Sequence, residues 1–410
     1  MLQKPRGTRD FLPEEMEQRR DVEMRMRAVS RKWGYREICT PTFETQELYT
    51  IRSGEGIINE MYVFEDKGGR SLALRPEGTA AVLRMYVNEA KVLSKPIRWC
   101  YLSDCYRYER PQKGRYRQFW QFGAEQIGAD TPAGEAEIVL LAYELLKATG
   151  VRFTLHIGHL APMKHLLSDL SDTDKKAVMA ILDKKNFDDL KVYLENINAE
   201  SLYKSLKELL DCRTIDEALK ICGDMPDKER MIELIRILDS QNIDYQLNLG
   251  IVRGLDYYTG MVFEGFADNL GAENQIIGGG SYRLAHLFGG DDVASCGFGI
   301  GFDRVMVSLG EFRPKSSPLV AVVYTPDVSG HAFLVAKQFR DAGINTELNL
   351  LERGIGAQMK HAAKTADYAL VIGKREAESG TVTLKDMKSG EQKEVTIDKA
   401  ISYVSSSEVK

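Results

Sequence analysis

The chain has 410 residues, enough for two or three domains with a core each at about 150 residues per domain. Apolar residues make up 43% and charged residues 28%, a globular balance that excludes a disordered or fibrous chain. With 55 basic and 60 acidic residues the formal net charge is −5, which excludes a histone-like coat of cations but leaves room for a local basic patch and a nucleic-acid partner.

The opening stretch Met1-Leu2-Gln3-Lys4-Pro5-Arg6-Gly7 has no apolar core, so no signal peptide is expected. Pro13 with Glu14 and Glu15 predicts a helix start, and Val22, Met26, Val29 and Trp33 share one face before Gly34 stops the helix. Tyr35 to Phe43 reads as a strand interrupted by Pro41. Two short strands between Met61 and Arg75 flank Lys67-Gly68-Gly69, a hairpin signal. A helix is expected over Thr79 to Leu93, and strands at Ile97, Trp99, Tyr101 and at Gln118 to Ile127. Pro132 opens a helix to about Thr149, and Val151 to Ile157 is extended. From about 165 to 225 the composition turns to Lys, Asp, Leu and Glu with helical periodicity, a helical insertion. Tyr245, Leu247, Leu249 and Ile251 alternate as in a strand. Pro314 to Pro318 marks a linker, and beyond it an alternating α/β pattern describes a small domain of about 90 residues. Apolar runs such as Ile138 to Tyr143 fall far below the roughly 20 residues of a membrane span, so no membrane association is expected. The six cysteines are scattered without a CxxC pair, as in a reduced, cytoplasmic protein.

Four segments carry residue types suited to chemistry. Arg107-Tyr108-Glu109-Arg110-Pro111-Gln112-Lys113-Gly114-Arg115-Tyr116-Arg117 packs five cations around one acid, with aromatics interleaved. It reads either as a charged hairpin tip or as a contact to polyphosphate or nucleic acid, which arginine forks and stacking rings both suit. Phe119, Gln121, Gly123 and Glu125 follow on one strand face, as a wet face or as a ring stack beside two acceptors. Arg75-Pro76-Glu77-Gly78-Thr79 is a strand end and helix start, with Thr79 a cap, or Glu77 an acceptor for a substrate ammonium. Arg253-Gly254-Leu255-Asp256-Tyr257-Tyr258-Thr259-Gly260 is a turn costly to bury without partners, which points to a site. Gly297-Phe298-Gly299-Ile300-Gly301-Phe302-Asp303-Arg304 is a glycine-rich strand entering a helix, either a tight junction or a place where a ligand approaches backbone. His156, His159 and His165 lack a completing cysteine or acid, so no zinc site is predicted. Neither a Walker loop nor a GxGxxG loop is present.

Together these segments resemble the class II aminoacyl-tRNA synthetases, and among them the histidyl-tRNA synthetase family, over essentially the whole chain. The loop from Arg107 to Phe119 and Arg253 to Gly260 are the specific marks; the Trp33–Pro41 region and Gly299–Arg304 are looser ones. The resemblance implies an α+β fold: an antiparallel catalytic sheet flanked by helices over 1–318, with the helical insertion at about 165–225, and an anticodon-binding α/β domain over 319–410. It implies ATP with Mg²⁺, histidine and tRNA(His) as ligands, and a homodimer. Glu77, Thr79 and Gln121 are expected around the histidine ammonium, Glu125 and Tyr258 at its imidazole with Tyr282 lining the pocket, and Gly78 and Tyr257 among the other histidine-binding residues. Arg107 and Arg253 are expected at the α-phosphate as the catalytic pair, Arg115 and Arg304 at the γ-phosphate, and Phe119 on adenine. Arg110 and Gln112 are expected at the tRNA acceptor end, and no residue is assigned to a metal. The sequence departs from the family at Ser281-Tyr282-Arg283, where Arg-Tyr-Asp is usual, and at Asp303, where Glu is common. Two rivals share the fold: a synthetase-like regulatory subunit of ATP phosphoribosyltransferase, and a class II synthetase for another amino acid.

Overall fold

The structure, a computed structural model, describes residues 2–51, 55–110, 114–184, 186–251, 257–271, 274–314, 317–351 and 353–407, with backbone alone for 55–57 and 407. It divides into two compact units, Met1–Phe312 and Arg313–Lys410.

In the first unit, helix α1 (Pro13–Lys32) opens on proline with Glu14 and Glu15 and closes on Arg31 and Lys32, charges that suit both ends of its dipole. Gly34, at φ +78°, then turns the chain. Strands β1 (Arg36–Glu37) and β2 (Phe43–Thr45) are shorter than the strand expected over Tyr35 to Phe43, because pairing lapses around Pro41, which has no N–H for a ladder. Helices α2 (Gln46–Thr50) and α3 (Glu55–Glu60) lead to β3 (Val63–Glu65) and β4 (Ser71–Leu74), which form the predicted hairpin and take β2 as a third strand. Helix α4 (Thr79–Met85) widens into a π-helix over Tyr86–Ala90, so the expected helix stops short of Leu93.

Strands β5 (Ile97–Tyr106) and β6 (Gln118–Ile127) and helix α5 (Pro132–Thr149) follow. Thr131 caps α5 by accepting from the Gly134 amide, and Gly150 ends it at φ +85°. After β7 (Thr154–His159) come α6 (Leu160–Leu166), α7 (Asp172–Asp183), α8 (Phe187–Asn196), α9 (Ser201–Asp211), α10 (Ile215–Cys222) and α11 (Lys228–Asp239). Val178, Leu182, Leu190, Leu194, Leu206 and Leu209 give the middle of this helical run a core of its own. The alternation over 245–251 yields only β8 (Gln246–Leu247), a parallel edge beside β7. Strands β9 (Tyr258–Phe266), β10 (Gln275–Tyr282) and β11 (Ser295–Gly301) and helix α12 (Phe302–Leu309) complete the unit.

Among the described residues the main sheet runs β1-β5-β6-β11-β10-β9-β7-β8, antiparallel from β5 to β7 with parallel pairs at both edges. One face buries Phe122, Ala124, Phe298, Ile300, Ile277 and Phe263 against α1 and α5, whose Ile138, Leu141, Ala142 and Leu145 are fully buried. At about 25 cal/mol per Å² this apolar layer is the main stabiliser of the unit, and it leaves the opposite face for a site.

The second unit is an α/β sandwich of β12 (Leu319–Tyr324), α13 (Ser329–Asp341), β13 (Asn345–Leu348), α14 (Ile355–Thr365), β14 (Tyr368–Ile372), α15 (Lys374–Ser379), β15 (Thr381–Asp386), β16 (Gln392–Thr396) and α16 (Ile397–Ser407). Its sheet runs β13-β12-β14-β15-β16, parallel over the first three strands and antiparallel after them, around Val320, Val322, Phe339, Leu370 and Val404. Among the described residues no helix is long and apolar enough to cross a membrane.

Candidate active site

The free face of the main sheet is paved with glycine. In register across five strands stand Glu264 on β9, Gly278 on β10, Gly299 on β11, Gly123 on β6 and Tyr101 on β5. The next row on that face places Gly280 and Gly297 beside Glu125. Strand alternation keeps these positions on one side, and the missing Cβ atoms lower the floor between taller walls. The result is a cavity of about 1290 Å³, whose walls include Glu77, Thr79, Tyr101, Arg107, Arg115, Phe119, Gln121, Tyr257, Tyr258, Glu264, Tyr282 and Arg304.

At one end lies the fully buried Glu125 carboxylate. It accepts from Thr79 Oγ1 at 2.8 Å, from the Tyr101 hydroxyl at 3.3 Å and from the Tyr282 hydroxyl. Burial first, and then the Glu125 charge, push both phenols well above their usual range, so both stay protonated and donate. A buried carboxylate needs such donors to offset its lost hydration. Glycine makes the packing possible: a Cβ at Gly297 would sit 1.8 Å from Glu125 Oε2, and one at Gly78 or Gly123 would run into the Tyr101 ring at 2.3 and 2.2 Å. Gly78 is absent from the cavity lining and acts at one remove, by seating that ring. The α4 N-terminus is capped by Glu77, which accepts from the Thr79 and Ala80 amides at 2.6 and 3.0 Å, while the Thr79 hydroxyl is spent on Glu125. The Tyr257 and Tyr258 rings meet at a tilt of 50° with centroids 4.3 Å apart, and the Tyr258 ring covers Gly280.

The other end gathers guanidinium groups. Arg107 donates to the Pro76 carbonyl at 2.9 Å and lies 5.3 Å from the Phe119 ring centroid. Arg115 pairs with Glu109, which also stands 3.9 Å from Arg107. Arg304 donates to the Gly114 and Gln275 carbonyls at 3.4 and 2.6 Å, and Gln275 in turn donates to Glu264 at 3.1 Å. Arg75 is structural, held by Asp104 and the Thr40 and Pro41 carbonyls. Among the described residues no group of three His, Cys, Asp or Glu side chains is placed to hold a metal.

The cavity therefore unites Arg107, Arg115 and Arg304 with Glu77, Thr79, Gln121, Tyr257, Tyr258 and Tyr282, and Glu125, absent from the lining, lies behind Thr79, Tyr101 and Tyr282. Arg110 is exposed and outside the lining. Arg253 and Gln112 lie outside the described residues. Sequence reasoning missed Tyr101, Glu109 and Glu264. Tyr101 was signalled by its alternation with Trp99, which reads as a core face until β5 is placed opposite Gly123. The departure at Ser281 is accommodated behind Tyr282: Ser281 donates to buried Glu135 at 2.6 Å, and Arg230 of α11 supplies Glu135 with its cation at 3.1 Å.

Residues 7–305 match the family model described as histidyl-tRNA synthetase, and 319–407 the one described as anticodon binding domain. The chain is 64% identical over 404 residues to a histidine–tRNA ligase of Methanoculleus marisnigri, covering 98% of each. The apo histidyl-tRNA synthetase of S. aureus superposes with a TM-score of 0.72 at 28% identity, over 98% of this chain and 100% of that one. A Bacillus halodurans structure titled as an ATP phosphoribosyltransferase regulatory subunit/histidyl-tRNA synthetase gives 0.79 at 25% identity, over 91% of this chain and 98% of that one. A match across the catalytic sheet, its glycine floor and the second unit alike places the chain in the histidyl-tRNA synthetase family.

Proposed function

We infer that the chain is a ligase that activates histidine with ATP, giving histidyl-adenylate and pyrophosphate, and then passes histidine to the 3′ end of tRNA(His). The observation that carries the reading of the site is the polarity of one cavity, with three guanidinium groups at one end and, at the other, Thr79, Tyr101 and Tyr282 donating to a buried carboxylate behind them. Imidazole suits the Glu125 end: a fixed acceptor receives its N–H, Tyr258 and Tyr282 border the ring, and an apolar amino acid would leave these polar groups unpaired. Glu77, Thr79 and Gln121 face the histidine ammonium.

The triphosphate suits the other end. Phe119 offers adenine a ring to stack on, Arg107 meets the α-phosphate, and Arg115 and Arg304 meet the γ-phosphate. The histidine carboxylate is itself the nucleophile, so no side-chain nucleophile is needed. Two anions must meet, and cations fixed where charge gathers lower that barrier; Arg107 and Arg253 have this role. Mg²⁺ would supply neutralising charge at the β- and γ-phosphates, and Glu264 in the cavity wall would be the carboxylate to hold it. Arg110 and Gln112 would meet the tRNA acceptor end, and Leu182 and Asp183 of α7 border the cavity from the helical run, which supports its approach to the same end. The second unit would read the anticodon. A second copy of the chain would cover the exposed Phe43, Val63 and Phe64 of the three-stranded sheet, giving the homodimer.

The test is pyrophosphate exchange into ATP with each of the twenty amino acids. Exchange with histidine alone is expected. No exchange would favour the regulatory-subunit reading, against which the anticodon domain match at 319–407 already weighs. Exchange with another amino acid would overturn the Glu125 assignment.

A further inference from the structure

The N-terminal segment before α1 reaches the phosphate end of the cavity from outside. The Gly7 carbonyl accepts from the Arg117 amide at 2.9 Å, as if adding a rung to the hairpin of β5 and β6. A side chain at Gly7 would meet Arg117 Cγ at 2.6 Å, and its φ of +85° suits glycine alone. Two residues on, the Arg9 guanidinium carbon lies over the Tyr116 ring, 3.5 Å from the centroid, and the guanidinium donates to Asp303 at 2.5 Å. Asp303 is 2% exposed at its side chain and also accepts from Arg19 of α1 at 2.7 Å and from the Trp120 amide at 2.6 Å.

The neighbours of these contacts matter. Tyr116 adjoins Arg115, Trp120 adjoins Phe119, and Asp303 adjoins Arg304. The three groups assigned to the γ-phosphate and the adenine thus come from a loop, a strand and a helix, and each stands one residue from a point pinned by the same arginine–aspartate node. Arg9 is the only member of the node that touches both the loop, through Tyr116, and the helix, through Asp303, among the described residues. Arginine suits both tasks at once, since its plane stacks while its edge donates.

We propose that Arg9 is a positioning residue for ATP: it fixes the distance between Arg115 on the loop and Arg304 on α12, so that both meet one triphosphate. The proposal rests on the reading of this end of the cavity as the ATP site. It also explains the aspartate at position 303, whose short side chain is met by two arginines reaching in from the N-terminal segment and α1.

The experiment is histidine-dependent pyrophosphate exchange with Arg9→Lys and Arg9→Met, scored as separate KM values for ATP and histidine, with thermal melting alongside. Lysine keeps the charge facing Asp303 but loses the guanidinium over Tyr116, so Arg9→Lys should melt within a few degrees of the parent. Its KM for ATP should rise about tenfold while the KM for histidine stays within twofold, the size expected when reacting groups are misplaced without losing a contact. Arg9→Met should show the same split, larger; if it fails to fold, the lysine variant alone decides. Arg20→Met, on the exposed side of α1, serves as the unchanged control. A folded Arg9→Lys enzyme with the parental KM for ATP overturns the proposal, as does an equal rise in both KM values. A parent enzyme without histidine-dependent exchange would instead overturn the reading of the site itself.

Discussion

Three glycines alternate along β11 on the site face, and the space above each differs, so an alanine at each position gives a graded test of the floor. At Gly297 the new Cβ would lie 1.8 Å from Glu125 Oε2 and 2.7 Å from the Ala124 carbonyl oxygen. The carboxylate would have to retreat by about 1.2 Å to reach the 3.0 Å that real contacts respect, and Tyr101, Tyr282 and Thr79 close off the space around it. Such a shift breaks two hydrogen bonds to a charged group, at about 1.5–3 kcal/mol each, or about 3–6 kcal/mol in all. Against a whole-protein stability of about 5–15 kcal/mol, Gly297→Ala is either barely folded or folded with a misplaced Glu125. At Gly299 the nearest atom is Gln121 Nε2 at 3.3 Å, the end of a flexible side chain, so Gly299→Ala should fold and raise the histidine KM mildly. At Gly301 the nearest is Arg304 Cδ at 3.5 Å, ordinary contact, and Gly301→Ala should melt with the parent. Melting by circular dichroism and histidine KM in the exchange assay read all three. A Gly297→Ala protein with parental melting and parental histidine KM would refute the claim that Glu125 is locked in place by the backbone beside it.

Glu125→Gln keeps the shape and removes the charge, so the histidine KM should rise about ten- to hundredfold while the ATP KM changes little; exchange kinetics at saturating ATP decide it. Gln112→Ala should impair tRNA charging more than pyrophosphate exchange, and equal losses would remove Gln112 from the acceptor contact. Stability should also depend on pH through His159. Burial, outweighing the attraction of Glu135 and Asp227, lowers this imidazole from 6.5 to about 4. Its folded value lies below its unfolded one, so its contribution is complete above pH 6.5 and is lost as the pH falls toward 4. At pH 5 the loss is about 2 kcal/mol, and urea titrations at pH 7.5 and 5 should differ by that much more in the parent than in His159→Gln.

The parts of this architecture that were legible in the sequence are those whose cause is local. Gln118–Ile127 is an aromatic-rich run bounded by Arg117 and Gly128, and Pro132–Thr149 has a proline start, a threonine cap and a glycine stop; both elements match the expected bounds. Local pattern failed where pairing decides. Tyr35–Phe43 reads as a strand and 245–251 alternates, but at the two sheet edges only short ladders form. The last strands and helix of the second unit went unread, since the exposed Gln392, Lys393 and Glu394 of β16 hide its pairing with β15. In the site, charge density and glycine spacing signalled Arg107, Glu125 and Arg304, because guanidinium clusters and in-strand glycines are costly without a ligand. Tyr101 and the Arg9–Asp303 node carry no such signal. Their neighbours are far away in sequence, and only register and chain path bring them together.

The central claim is that one glycine-floored trough receives imidazole at Glu125 and a triphosphate at the arginine end. A crystal structure of the protein with histidine and a non-hydrolysable ATP analogue measures this directly. The account predicts an imidazole nitrogen within hydrogen-bond distance of the Glu125 carboxylate and phosphate oxygens between Arg107, Arg115 and Arg304. Histidine seated away from Glu125, or a nucleotide bound outside the trough, would contradict it.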